Sequence, residues 1–296
     1  MSLTRRQLMR LALAAAAIPS ATLAEGKPMS GLVSLEMAIT EMLLTLGVTP
    51  LATTNIPLYR RLVTYPEMPA SVADLGPFGE PNPEYLHRLA PARILAADWQ
   101  APGLGRLAAI APILALPLYP GKTPALEHQE AVLRQIGDLC LRRDRAEEVI
   151  ASTQATLERA RARLSGINRP VYLCRFNRDG RNLAVFGGNG MLGDVLRRLE
   201  IANAYRGRVN ALSGGTNIPL ASLADAPEAV IVHFDRGAET EAALQRLDQS
   251  RLWHALPAVA AGRIARIPVI YPTGGPLSAS RLADALAASL PEIAHG

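Results

Sequence analysis

The side chains able to do chemistry in this chain are few and scattered. The five histidines, His87, His128, His233, His254 and His295, stand apart from one another. Only His233 and Asp235, at the end of an apolar run, suggest part of a metal site. A protein-held zinc or manganese ion needs several His, Asp or Glu ligands gathered from more than one segment. No Gly-x-Ser-x-Gly elbow, P-loop or His-Glu-x-x-His pattern occurs, and Gly187-Gly188-Asn189-Gly190 lacks the spacing of a dinucleotide fingerprint. An enzyme, the rival class, therefore has no motif to stand on. The two cysteines, Cys140 and Cys174, form no Cys-x-x-Cys pair. An oxidising compartment would permit a bridge between them, but each falls in an apolar pattern where a cysteine is commonly a small core residue, so the pairing stays open.

Composition narrows the classes further. With 296 residues, 49% of them hydrophobic, the chain can bury a substantial core. Only 4% are aromatic, which makes any ring in a loop a scarce feature. Three unbalanced charges, Arg5, Arg6 and Arg10, account for much of the net +5; subtracting them leaves +2, too little for a surface that tracks nucleic acid. Those arginines precede an apolar run from Leu11 to Ile18 and the small residues up to Ala24. This order predicts a cleavable export signal over residues 1–24, with paired arginines of the twin-arginine type. The run is too short for a permanent span, and no cysteine follows for lipid attachment. The reading places the mature protein free in the periplasm.

The elements that would position any site alternate between strand-like and helical patterns, predicting an α/β fold with parallel sheets. Strands are expected at 31–35, 94–97 and 113–116, and helices at 36–46, 82–90 and 107–110, forming an N-terminal lobe over 25–141. Between Asp144 and Leu164, the residues Ala146, Val149, Thr153, Leu157, Ala160 and Leu164 recur every three or four positions. One apolar stripe on a charged helix follows. Asp144 with Glu147 suggests a variant capping box, and Gly166 a stop. Such a helix, roughly 32 Å long, would make 142–166 a stiff spine between lobes; the competing reading packs it inside one continuous domain. Strands at 171–176, 230–234 and 264–267, with helices at 191–199 and 278–290, build a C-terminal lobe over 167–296. Leu89-Ala90-Pro91-Ala92-Arg93-Ile94-Leu95 is echoed by Asp225-Ala226-Pro227-Glu228-Ala229-Val230-Ile231, as expected of two lobes of similar build.

Several stretches together carry a family resemblance. They are Glu41 to Pro50 (EMLLTLGVTP), Asp74-Leu75-Gly76 with Glu80-Pro81-Asn82, Leu183 to Gly187 (LAVFG), Ser250 to Pro257 (SRLWHALP) with Ala261-Gly262-Arg263, and Leu277-Ser278-Ala279. In order and spacing the chain resembles, over nearly its whole mature length, the periplasmic binding proteins of iron-siderophore and cobalamin uptake, most closely the ferric-hydroxamate receptors. The resemblance implies two α/β lobes joined by one long rigid helix, the class III or helical-backbone metal-receptor arrangement. It also implies a binding component of an ABC importer, with no catalytic residues, no metal site and no cofactor of its own. Iron would enter only within a bound siderophore. The implied partners are that chelate and an inner-membrane permease, not nucleic acid, and the receptor is expected to be monomeric. A haem- or corrinoid-binding receptor of the same fold is the alternative.

The family's site residues carry over unevenly. The arginine that precedes Glu-Pro-Asn and contacts iron-hydroxamate oxygens is replaced by Phe78, and its assisting tyrosine by Gln100, beside Trp99. Family tryptophans map onto Leu62, Leu212 and Tyr271. These departures imply an altered ligand within the same class. The residues expected to line the cleft are Tyr59 and Arg60 in a variable loop, Phe78, Trp99, Gln100, Arg175 and Tyr271. Aromatic rings hold large, partly apolar chelates, while arginine or amide groups donate to chelate oxygens. The relatives dock on their permease through one carboxylate per lobe. Glu84 occupies the first position; the second falls at 220–222, where no acid occurs, and Asp225 lies close but out of alignment.

Overall fold

The computed structural model describes residues 31–294 apart from 120 and 212, so the export-signal reading and the Leu212 position lie outside the described residues. The first sheet is wholly parallel, in the order β3-β2-β1-β4-β5. Its strands are β1 (Leu32–Ser34), β2 (Ala52–Thr53), β3 (Ala73–Asp74), β4 (Arg93–Ala97) and β5 (Ile113–Leu116). Three helices intervene, α1 (Met37–Thr45), α2 (Ile56–Leu62) and α3 (Pro83–Leu89). Glu36 and Asn82 cap α1 and α3 with their side chains, where the sequence places the starts. Alternate residues sort to opposite faces: Leu32, Leu95 and Ala97 enter one apolar cluster, Val33, Ile94 and Ala96 another.

Two helices follow, α4 (Ala125–Leu139) and α5 (Arg143–Arg163), and then the second sheet begins. It runs β10-β9-β6-β7-β8, from β6 (Val171–Phe176), β7 (Asn182–Phe186), β8 (Gly215–Pro219), β9 (Val230–Asp235) and β10 (Ile264–Pro268). Strands β6, β9 and β10 are parallel, while β7 pairs antiparallel with β6 and β8, an insertion the alternation of patterns does not predict. Helices α6 (Met191–Arg198), α7 (Ala238–Asp248), α8 (Arg251–Ala255), α9 (Pro257–Ala260) and α10 (Pro276–Ala294) complete this half.

Helix α5 crosses from one half to the other. Its first turns, Ala146, Val149 and Ile150, belong to the core cluster of the first sheet; Leu157, Ala160 and Leu164 belong to that of the second. It is not a lone strut. Helix α4 makes the same crossing, with Ala125 and Leu126 in the second cluster and Val132, Leu133 and Ile136 in the first. Helix α10 packs along α5, and Thr153 of α5 donates 3.2 Å to the carbonyl of Pro276. The expected capping box is not made: Arg142 caps α5 without a side-chain hydrogen bond, and Glu147 is held by Arg134 and Arg143, each at 2.9 Å. Cys140 and Cys174 are free and buried in different clusters, so no bridge joins them.

Candidate functional site

In open parallel sheets, ligands bind beyond the carboxyl ends of the strands, where the chain leaves the sheet in loops. Phe78 follows β3, Trp99 follows β4 and Tyr119 follows β5. The rings of Phe78 and Trp99 lie 5.4 Å apart and tilted by 32°, and Trp99 is 40% exposed. An exposed tryptophan stacked on a half-buried phenylalanine, in a chain poor in aromatics, offers an apolar contact surface.

The second half supplies a pocket of about 290 Å³, lined among others by Arg175, Phe186, Asn217, Phe234, Arg236 and Pro272, with Leu62 of α2 reaching in from the first half. Strand register explains its floor. Val171 and Leu173 of β6 and Val230, Val232 and Phe234 of β9 all face one apolar cluster. The next inward position on each strand is an arginine, Arg175 and Arg236. Arg175 stands beside Ala184 and, beyond it, Asn217, while Phe186 and Phe234 meet edge-on at 5.8 Å. The floor is thus apolar at its base and cationic at its mouth.

The charges are unevenly matched. Arg175 donates to Asn177 Oδ1 at 3.2 Å, Arg236 pairs with Glu239 at 3.0 Å, and Arg61 of α2 reaches the same carboxylate at 3.2 Å. The Nε atoms of Arg175 and Arg236 are buried without a hydrogen-bond partner. Burial, with Arg175 and Arg61 nearby, holds the Arg236 guanidinium below its usual range despite Glu239.

Of the residues the sequence singled out, the structure brings Phe78, Trp99 and Arg175 to these surfaces and sends others elsewhere. Tyr59 is fully buried among Met37, Ile56, Val63, Met68 and Val72, donating 3.0 Å to the carbonyl of Pro66. Its segment is the helix α2 rather than a loop, and the spacing of Ile56, Tyr59 and Val63 turns it inward. Arg60 is exposed and outside the pocket wall; Leu62 lines the pocket, and Arg61 pairs with Glu239 beside it. Gln100 accepts from Ala97 N at 2.9 Å and donates to the Leu35 carbonyl at 3.0 Å, tying the ends of β1 and β4. Tyr271 donates 3.1 Å to Glu36 Oε1 at the joint between halves, while its neighbours Ile270 and Pro272 line the pocket. Glu84 is exposed in the first turn of α3, at the same edge as Phe78. Positions 220–222 open a 3-10 helix (Leu220–Asp225) and carry no acid; Asp225 is its last residue, beside Tyr172 toward the start of β6.

The other motifs are structural. A Cβ on Gly190 would sit 2.5 Å from the Cα of Gly214, so the glycine run serves close backbone packing. His233 is buried with its ring centre 5.1 Å from that of Phe176, and burial pushes its pKa down to about 4. Among the described residues no three His, Cys, Asp or Glu side chains gather as metal ligands, and no helix is long and apolar enough to cross a membrane. Arg236 was not singled out from sequence; its signal was the arginine closing the inward row of the run at 230–234.

Comparison with known proteins bears on this arrangement. A model of the periplasmic binding protein family matches residues 32–271. The iron(3+)-hydroxamate-binding protein FhuD of Escherichia coli (strain K12) is 30% identical over 249 residues, covering 84% of this chain and 82% of that one. The crystal structure of the siderophore-binding protein FhuD from Vibrio cholerae with Fe3+-Desferal superimposes with a TM-score of 0.82 at 27% identity, covering 90% of this chain and 99% of that one. The triscatecholate siderophore-binding protein FeuA of Bacillus subtilis, bound to ferri-bacillibactin, shares the fold with a TM-score of 0.70 at 14% identity, over 91% of this chain and 95% of that one.

Proposed function

This chain belongs to the periplasmic binding protein family, and we propose that it is the extracytoplasmic receptor of an ABC importer, capturing a ferric siderophore between its two halves. It binds and releases its ligand without transforming it, and it carries no cofactor; the iron arrives inside the chelate. The observation that carries this reading is the pocket floored by Phe186 and Phe234, flanked by Arg175 and Arg236, with exposed Trp99 stacked on Phe78 on the other half. Rings receive the ligand's apolar bulk and guanidinium groups its oxygens. No His, Cys or Met is among the described residues lining the pocket, so an axial bond to haem or corrinoid metal through these side chains finds no donor there.

On this reading residues 25–141 and 167–296 are the lobes and 142–166 the connection. Residues 1–24 direct export by the twin-arginine route, and the mature protein works in the periplasm as a monomer. Glu84, exposed at the rim, meets a cation on the inner-membrane permease and steers docking. The receptor reading is tested by intrinsic fluorescence. Of the two tryptophans, Trp253 is buried and Trp99 exposed, so ferric siderophores should quench Trp99 saturably, and Trp99→Phe should lose most of the quench. Quenching by haem or cobalamin but by no ferric siderophore would contradict the proposal.

A further inference from the structure

Two arginines lining one pocket, Arg175 on β6 and Arg236 just past the end of the neighbouring β9, demand a compensating charge. Cys174 of β6 pairs with His233 of β9, so the inward rows ending in Arg175 and Arg236 run side by side. A third guanidinium, Arg61, approaches from α2. The charges bearing on Arg236 are these two arginines and a single carboxylate, Glu239, which Arg236 and Arg61 share. Asp235 and Glu241, the next nearest acids, are taken up by Arg266 at 2.8 and 2.7 Å. Crowded like charges in a partly desolvated site are costly unless an anion joins them.

We propose that the ligand is an anionic ferric chelate, its catecholate or α-hydroxycarboxylate oxygens received by Arg175 and Arg236, rather than a neutral trihydroxamate. The inference rests on the ferric-siderophore reading above. Hydroxamates each carry one negative charge, and three of them cancel that of ferric iron, leaving nothing for the arginines. Catecholates and α-hydroxycarboxylates leave the complex negative, and guanidinium is suited to their paired oxygens.

The test is equilibrium binding to the purified mature protein of a ferric triscatecholate, ferric citrate, a neutral ferric trihydroxamate and the cationic Fe3+-Desferal complex, at low and high salt. The anionic chelates should bind at least roughly tenfold tighter than the neutral one, and only their affinity should fall with salt. Arg175→Gln and Arg236→Gln should each weaken the anionic chelates by roughly ten- to a hundredfold, with the neutral chelate nearly unchanged. The relative affinities of the triscatecholate and citrate identify the oxygen type. Tighter binding of the neutral or cationic hydroxamate overturns the charge assignment and leaves the siderophore receptor standing. An equal loss for all chelates in both variants likewise overturns it. Binding of none overturns both. The wild-type selectivity decides the matter even if a variant fails to fold.

Discussion

At the scale of residues, the same side-chain type serves two ends according to register. Tyr59 and Trp99 were grouped by sequence as cleft aromatics, yet Tyr59 closes the core beneath α2 while Trp99 stands exposed. Tyr59→Phe should therefore lower stability by about 1 kcal/mol, the worth of one buried hydrogen bond, and leave chelate affinity unchanged; thermal unfolding and a binding titration measure both. A loss of affinity without a loss of stability would return Tyr59 to the site. Phe78 was named from the position before Glu80-Pro81-Asn82, whereas Trp99 and Arg175 stand at or just past the end of a strand-like run. Arg236 follows the same rule, but only the pairing of β6 with β9 puts it beside Arg175. Arg60 was named where Leu62 lines the pocket, because a short helix starting after Asn55 with Pro57 in its first turn reads as a loop without an apolar repeat long enough to show.

Among the elements, the joint between α1 and α10 has its own chemistry. Glu36 caps α1 through the amides of Ala38 and Ile39 and accepts from Tyr271, while Glu41 accepts from Ser278 N at 3.1 Å and Ser278 Oγ at 2.9 Å. Arg281 of α10 donates to the Val63 carbonyl at 2.7 Å, locking the same corner. Burial outweighs these hydrogen bonds and lifts both carboxyls from about 4.5 to about 7. A folded-state value raised above the unfolded one means that the folded protein holds more protons between these limits. The stability contributed by each group is then full below pH 4.5 and lost as pH rises through 7, an effect on the order of 3 kcal/mol each. Melting temperature should accordingly decline from mildly acidic to neutral pH, and Glu41→Gln, which stays neutral, should flatten part of that decline. An unchanged slope in the variant would refute the assignment. Helices α1 and α3 were readable from their capping residues, and α5 from its apolar spacing alone. Strands β7 and β8 were not, because an antiparallel pair inserted beside a parallel sheet leaves the alternation of patterns undisturbed.

For the whole molecule, two sheets on a continuous helical layer make a body that closes little. The sequence showed the spine in the stripe from Ala146 to Leu164; it did not show that α4 and α10 lie along it, because their partners across the junction are distant in sequence. Three packed helices resist bending more than one, so small-angle scattering should give the same radius of gyration within error with and without ligand. A contraction like that of hinge-closing receptors would contradict this. Glu84→Arg, exposed on α3 and not among the residues lining the pocket, should leave chelate affinity intact and reduce permease-dependent uptake in cells; equal uptake would remove Glu84 from docking. The account stands on where the iron goes, and anomalous scattering at the iron edge from crystals grown with a bound ferric chelate locates it directly. The iron peak should lie between the Phe78–Trp99 pair and the Arg175–Arg236 face. A peak on the outer surface of either sheet, with no iron in the gap between the halves, would contradict it.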